Sequence, residues 1–255
     1  MSILDDRIQA KGGPLFGLQC YFYSPILIDI AARLGYDSIW VEMEHGHIAF
    51  SQTADLCRIA SGLGLLTMIR IPDARRENVL KAAECAPDII DLPMANTPEI
   101  VEELVSHALY SPEGNRGFFG SSRAVRYTID TPIVDEQRRV NRELCLMAQI
   151  ETIEAVDRAD EICSVPGINA IFLGPGDMSA SLGVTGELNH PTVKEALERA
   201  IATAKRYGKR VAMASAASDV AYWADKGVEL FYCASDVTCL KQGAQEMLDE
   251  ARGAL

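Results

Sequence analysis

The feature that most constrains this chain is an alternation. Short apolar runs rich in β-branched and aromatic residues fall at 15–22, 38–45, 65–71, 89–94, 144–151, 170–177, 209–215 and 229–236. Each is about the length of a buried strand. Between them lie helix-like stretches at 25–36, 51–64, 76–86, 98–110, 153–164, 191–208, 217–227 and 238–253. Their ends carry recognisable signals. Ser24-Pro25 supplies an N-cap followed by proline at the first helical position, and Tyr207-Gly208-Lys209 supplies a glycine stop. Eight strands alternating with eight helices predict a parallel sheet covered by helices. A chain of 255 residues has room for one such unit, so the expected fold is α/β, a single (β/α)8 TIM barrel over 1–255. A doubly wound open sheet is the alternative. Its dinucleotide-binding form needs Gly-x-Gly-x-x-Gly after the first strand, where this chain has Tyr21-Phe22-Tyr23-Ser24-Pro25.

Charge narrows the class of partner. Lys and Arg total 24 against 36 Asp and Glu, a net charge of −12. That balance argues against nucleic acid or an anionic membrane, both of which need a basic surface. No apolar run approaches the ~18 residues of a transmembrane helix. The first residues, Met1-Ser2-Ile3-Leu4-Asp5-Asp6, are acidic where a signal peptide needs positive charge. The seven cysteines are scattered, with no Cys-x-x-Cys pair, and read as reduced, mostly buried thiols of a cytoplasmic protein.

One segment, 111–143, is too long for an ordinary connection. It holds glycines at 114, 117 and 120 and arginines at 116, 123, 126, 138, 139 and 142. It reads either as a surface excursion with a short helix near 135–142 or as a lid or subunit-contact loop.

In a TIM barrel the chemistry lies at the C-terminal ends of the strands. The second run ends in Val41-Glu42-Met43-Glu44-His45-Gly46-His47 and the third in Arg70. The fifth ends in Gln149-Ile150-Glu151-Thr152 and the sixth in Leu173-Gly174-Pro175-Gly176-Asp177. Glu151 and Asp177 are hard oxygen donors on neighbouring strands, suited to Mg2+, Mn2+ or Co2+; the alternative is a carboxylate capping the next helix. His45 beside Glu42 and Glu44 is a carboxylate–imidazole arrangement suited to acid–base work. His47 reads as a loop bystander, and His107 and His190 as structural. Arg70 at a buried strand end needs an anion, either from a substrate or from a structural carboxylate such as Glu84. The glycine turn at Gly174, Pro175, Gly176 and Asp177 presents backbone N–H groups that could hold a carboxylate.

Together these residues resemble the HpcH/HpaI aldolase family of metal-dependent class II pyruvate aldolases. The likeness runs from about residue 16 to residue 240. It is carried by Glu44-His45-Gly46, Arg70, Pro93-Met94 with Asn96, Arg116-Gly117, Gln149-Ile150-Glu151-Thr152 and Leu173-Gly174-Pro175-Gly176-Asp177-Met178-Ser179. The resemblance implies a divalent metal held by Glu151 and Asp177, on which pyruvate or the pyruvyl half of the substrate chelates. It implies that Arg70 steadies the enolate, that His45 works with an acid to move the proton, and that Gln149 and the turn at 174–177 contact the substrate. It also implies a homo-oligomer, a hexamer built as a trimer of dimers that exchange their last helix. Four places depart from the family pattern. Glu42 stands where aspartate is usual, Ala86-Pro87 where Gly-Ala is usual, and Phe118-Phe119 follows Arg116-Gly117. His47 replaces a frequent proline, so the aldehyde side of the pocket is particular to this chain.

The activity implied is cleavage of a 4-hydroxy-2-oxo acid to pyruvate and an aldehyde. Oxaloacetate decarboxylation of the macrophomate-synthase kind would pass through the same enolate and is the first alternative. A catalytically silent barrel that binds keto acids is the second. A lyase acting on a coenzyme A thioester is the third, and no basic nucleotide site supports it.

Overall fold

All eight apolar runs become strands, and they pair in chain order. The computed structural model describes residues 2–254. Its strands are β1 (Leu15–Cys20), β2 (Ser38–Glu42), β3 (Leu66–Arg70), β4 (Ile89–Leu92), β5 (Cys145–Ile150), β6 (Ala170–Leu173), β7 (Arg210–Ala214) and β8 (Leu230–Ser235). Each pairs in parallel with the next, and β8 pairs back onto β1, closing the barrel. The helices are α1 (Ile3–Lys11), α2 (Pro25–Leu34), α3 (Phe50–Gly62), α4 (Arg76–Glu84), α5 (Pro98–Ala108) and α6 (Ile133–Glu143). They continue with α7 (Ile153–Asp157), α8 (Ala159–Ser164), α9 (Pro175–Ser181), α10 (Pro191–Arg206), α11 (Val220–Lys226) and α12 (Asp236–Gly253). The expected α/β TIM barrel is therefore the fold. Among the described residues no helix is long and apolar enough to cross a membrane. All seven cysteines are free, and Cys20, Cys57, Cys85, Cys145 and Cys163 are buried.

Three local readings change. Helix α1 carries no periodic signal in the sequence, because its apolar residues do not fall on one stripe. It forms from its ends: Ser2 and Asp5 make a reciprocal capping box, and Gly12 closes it in a left-handed conformation. Leu4 then enters the base of the barrel, where it is 1% exposed beside Leu15 and Leu66. The sixth run is a strand only to Leu173, because Pro175 opens α9 and cannot extend the ladder. The helix expected at 153–164 is two short helices, divided at Arg158.

The strands divide their side chains between two cores. Ile39, Val41, Ile69, Ile90, Leu92, Leu146 and Ala148 face the helices. Leu15, Trp40, Met68, Ile89, Met147, Phe172 and Tyr232 fill the barrel. As in other barrels of this type, alternate strands fill successive layers. Trp40, Phe172 and Tyr232, from β2, β6 and β8, meet with ring centroids 5.0, 5.2 and 6.1 Å apart. Gly17 makes room for that layer, since a Cβ there would lie 2.1 Å from the Tyr232 ring. The strand register brings Asp91 on β4 to that layer, and Arg70 of β3 and Gln149 of β5 face inward just above it.

The excursion between α5 and β5 is tied down by its arginines. Arg116 is buried, donates from Nη2 to Glu84 at 2.8 Å and lies over the Tyr110 ring. Arg123 donates to the carbonyls of Cys85 and Ala86. Arg139 bonds Glu136, Glu143 and the Ala124 carbonyl at 2.7–2.9 Å. The helix expected near 135–142 is present as α6. Two of the six arginines, Arg116 and Arg123, therefore bind the segment to the end of α4 and the link to β4, and the other four pair within the segment. Phe118 and Phe119 stay exposed, at 68% and 58%.

Candidate active site

The C-terminal mouth of the barrel gathers the polar strand-end residues. Glu42, at the end of β2, is fully buried. Its Oε1 accepts the backbone N–H groups of Glu44 at 2.7 Å and His45 at 3.0 Å. Its Oε2 accepts Arg70 Nε at 2.6 Å. These bonds occupy both oxygens, so the expected pairing of Glu42 with the His45 imidazole does not form. Instead Glu42 folds the loop that carries His45 and grips the arginine. The acid beside the imidazole is Glu44, with Oε2 3.5 Å from His45 Nε2. The His45 side chain is 63% exposed and so can meet a substrate.

Arg70 is 5% exposed. Besides Glu42 it meets Glu44 Oε2 at 3.1 Å through Nη1, and its guanidinium lies 4.8 Å from the centre of the Trp40 ring. Burial alone would weaken its charge, but Glu42 and Glu44 hold its pKa above the usual arginine value. Glu84, the structural partner considered for Arg70, belongs to Arg116.

On the far side of the mouth, Glu151 is 1% exposed. Oε1 accepts the Met94 amide at 2.7 Å and Oε2 accepts Gln149 Nε2. Met94 reaches this position with φ of 50°, an uncommon conformation for a residue with a side chain. Pro93-Met94 therefore supplies a backbone donor to the carboxylate. Asn96 ties the same turn to the one after β5, accepting the Thr152 hydroxyl at 2.7 Å. Gly174 faces Glu151 closely; a Cβ would lie 2.6 Å from Glu151 Oε2 and 2.8 Å from its Cβ. Only glycine lets the turn after β6 pass so near the carboxylate.

The electrostatics of this side call for a cation. Burial pushes the Glu151 carboxyl up to about 7; the Met94 amide opposes the shift and the charge of Asp177 adds to it. Asp177 lies exposed in the first turn of α9. A buried carboxylate whose ionisation is opposed by burial and by a neighbouring carboxylate is part of a donor set that a hard divalent ion neutralises. Among the described residues no three His, Cys, Asp or Glu side chains form a closed metal cage. Glu151 and Asp177 would thus supply two ligands and leave the other positions open. The turn at Gly174, Pro175, Gly176 and Asp177 caps α9, where first-turn N–H groups lack helical acceptors.

Burial also pushes Glu44 above its ordinary value, while Arg70 and His45 act against the shift. One residue of the mouth was missed in the sequence. Asp91 is fully buried with neither oxygen hydrogen-bonded. Burial holds its carboxyl well above the usual range; Arg70 pulls against this, and Glu151, Glu42 and Glu44 reinforce it. The available signal was a carboxylate inside an apolar run, Ile89-Ile90-Asp91-Leu92. His47 is exposed in the loop after β2. His107 Nδ1 meets the Ala74 carbonyl at 3.0 Å, and His190 caps α10.

Known proteins are similar to this chain in sequence and in fold. A hydroxypyruvate/pyruvate aldolase of Sagittula stellata is 31% identical over 211 residues, 82% of each chain. A 2-keto-3-deoxy-L-rhamnonate aldolase of Escherichia coli is 30% identical over 212 residues, 83% of this chain and 78% of that protein. The crystal structure of an HpcH/HpaI aldolase from Desulfitobacterium hafniense superposes with a TM-score of 0.90 at 28% identity, covering 99% of this chain and 97% of that one. The family model for HpcH/HpaI aldolase/citrate lyase matches residues 17–241, which takes in β1 from Gly17, the other seven strands and every residue of the mouth. This chain belongs to the HpcH/HpaI aldolase/citrate lyase family.

Proposed function

We propose that this protein is a class II aldolase that cleaves a 4-hydroxy-2-oxo acid to pyruvate and an aldehyde. The observation that carries this reading is the buried Arg70, held by Glu42 and Glu44 and facing a mouth whose other wall is the Glu151 carboxylate. Packing alone does not require a fixed cation opposite a buried carboxylate. An enolate does, because negative charge grows on the C2 oxygen as C3–C4 breaks.

Each group then has a task. Glu151 and Asp177 would hold a divalent cation, Mg2+, Mn2+ or Co2+, which would supply Lewis-acid polarisation of the keto group. Arg70 donates to the oxygen that becomes negative. Its orientation is set in advance, since Nε is fixed on Glu42. His45 accepts the proton of the C4 hydroxyl, and Glu44 beside it favours the charged ring that results. The C3–C4 electron pair passes into the enolate, the aldehyde leaves, and protonation at C3 gives pyruvate. The first-turn amides of α9 receive the substrate carboxylate. Gln149 bears on the substrate indirectly, because its Nε2 is already on Glu151.

Support comes from the aldolase names of the relatives at 30–31% identity. The closing helix fits an oligomer of the family kind: on α12 Leu240, Met247 and Leu248 are 65%, 74% and 45% exposed. Light scattering at micromolar concentration should give a multimer, and a monomer would sink that part of the reading.

The decisive experiment compares two reactions of one enolate. Oxaloacetate decarboxylation needs the enolate but has no C4 hydroxyl to deprotonate. His45→Ala should therefore slow aldol cleavage by ~10²–10⁴ and leave decarboxylation much less affected. Pyruvate release from each substrate, measured with saturating Mn2+, checks this. Equal losses in both reactions would remove His45 as the aldol base.

A further inference from the structure

Below Arg70 and Gln149 the barrel holds an aromatic layer with one carboxyl group in it. Trp40, Phe172 and Tyr232 pack ring against ring, and the strand register brings Asp91 of β4 to the same level of the interior. Asp91 faces inward, since its neighbours Ile90 and Leu92 belong to the outer core and Ile89 to the barrel interior. It is 0% exposed, and both its oxygens lack hydrogen-bond partners.

Two neighbours could answer it. Arg70 is its register partner on β3, yet that guanidinium is bound to Glu42 and Glu44 and forms no ion pair with Asp91. On the other flank, β5 pairs Met147 with Asp91, and Gln149 projects inward two residues further on. Gln149 Nε2 is committed to Glu151 Oε2, and Gln149 Oε1 is buried without a donor. The interior thus holds a carboxyl group and, one layer above on the adjacent strand, an amide oxygen, and neither has a donor. Burying acceptors in this way costs folding free energy unless a proton lies between them.

We infer that Asp91 is a positioning residue: as a neutral carboxylic acid it donates to Gln149 Oε1 and so holds the Gln149 amide with Nε2 on Glu151. The inference rests on the reading of Glu151 as a ligand of a divalent cation. Full burial disfavours a charged Asp91, and the nearby carboxylates act in the same direction. The orientation of Gln149 matters because an amide turned over would present its oxygen to Glu151, acceptor against acceptor. With Asp91 in place, Met94 holds one oxygen of Glu151 and Gln149 the other, so the carboxylate is aimed before a cation arrives. Partners behind a metal ligand commonly act in this way.

The test uses the full-length protein and two kinds of measurement. The infrared difference spectrum of metal-free wild type minus Asp91→Asn, at neutral pH, should contain a carboxylic-acid C=O band that shifts in heavy water. Carboxylate bands in its place would overturn the inference and would point to an ionised Asp91 serving the unpartnered Trp40 Nε1–H. Calorimetric titration with Mn2+ provides the second arm. Asp91→Asn keeps an N–H donor for Gln149 and should bind close to wild type. Asp91→Leu has no donor and should bind about 10–100-fold more weakly. Adding Asp91→Leu to Gln149→Leu should bring no further loss, because the two residues act in series. Mn2+ affinity unchanged in Asp91→Leu would refute the inference. A wild-type protein that binds no Mn2+ would refute the metal reading instead, and the infrared band would still decide the state of Asp91.

Discussion

The two ends of this barrel handle charge in opposite ways. At the N-terminal end acids and bases are matched. Arg210 meets Asp5 and Glu229, each at 2.6 Å, and Lys11 pairs with Asp37. Burial acts to raise the Asp5 pKa, but Arg210 and Ser2 outweigh it and hold the carboxyl below its ordinary value. At the C-terminal mouth the acids outnumber the bases. Glu42, Glu44, Asp91, Glu151 and Asp177 share one buried arginine, and Glu44, Asp91 and Glu151 are all shifted upward. Matched pairs fix α1 against the base of the barrel. An unmatched acidic cluster holds free energy that a bound cation can release, which is how perturbed groups mark working sites.

Removing the one buried cation of the mouth should have the largest effect. Arg70→Ala should lower kcat/KM for aldol cleavage and for oxaloacetate decarboxylation alike by ~10²–10³. It also leaves Glu42 buried without its partner, a loss of about 3–5 kcal/mol in stability. Urea unfolding beside the pyruvate assay separates these two consequences. A fully active Arg70→Ala would break the contrast between the two ends.

Glu151→Gln comes next. It should abolish most Mn2+ binding, read by calorimetry, while the fold persists in circular dichroism. Normal Mn2+ binding by this variant would remove Glu151 from the metal site. A pH effect sharpens the same point. Glu151 ionises at about 7 in the folded chain against an ordinary 4.5. Its raised value means that its contribution to the stability of the metal-free protein is complete below about 4.5 and is lost as pH rises through about 7. Mn2+ affinity should move the opposite way, increasing up to about pH 7 as the cation no longer has to displace a proton. Thermal unfolding of wild type and Glu151→Gln, each from pH 4.5 to 8, tests the sign. Identical pH profiles would show that Glu151 is not the group responsible.

The smallest effect belongs to the matched end. Arg210→Ala removes two partly exposed pairs, worth together roughly 1 kcal/mol, and should leave kcat unchanged. A large fall in kcat there would mean that the base of the barrel is coupled to the mouth.

The amino-acid sequence by itself determined the architecture and marked most of the polar residues that line the mouth. Alternating apolar runs and capped helices are local signals, and a parallel sheet buried on both faces needs little else to be recognised. Arg70, His45, Glu151 and Asp177 could be read because polar residues at the ends of apolar runs are conspicuous. Helix α1 escaped notice because its two caps define it and no apolar stripe does. The tertiary structure alone decided who touches whom. Glu42 reads as the natural partner of the nearby His45, yet it turns to two backbone amides and to Arg70 on the next strand. Gln149 reads as a substrate ligand, yet its amide is fastened to Glu151. Asp91 passes unnoticed within β4, and its place between Arg70 and Gln149 exists only once β3, β4 and β5 are in register. Hydrogen bonds act over about 3 Å, and residues separated by tens of positions reach that distance only when the barrel has closed.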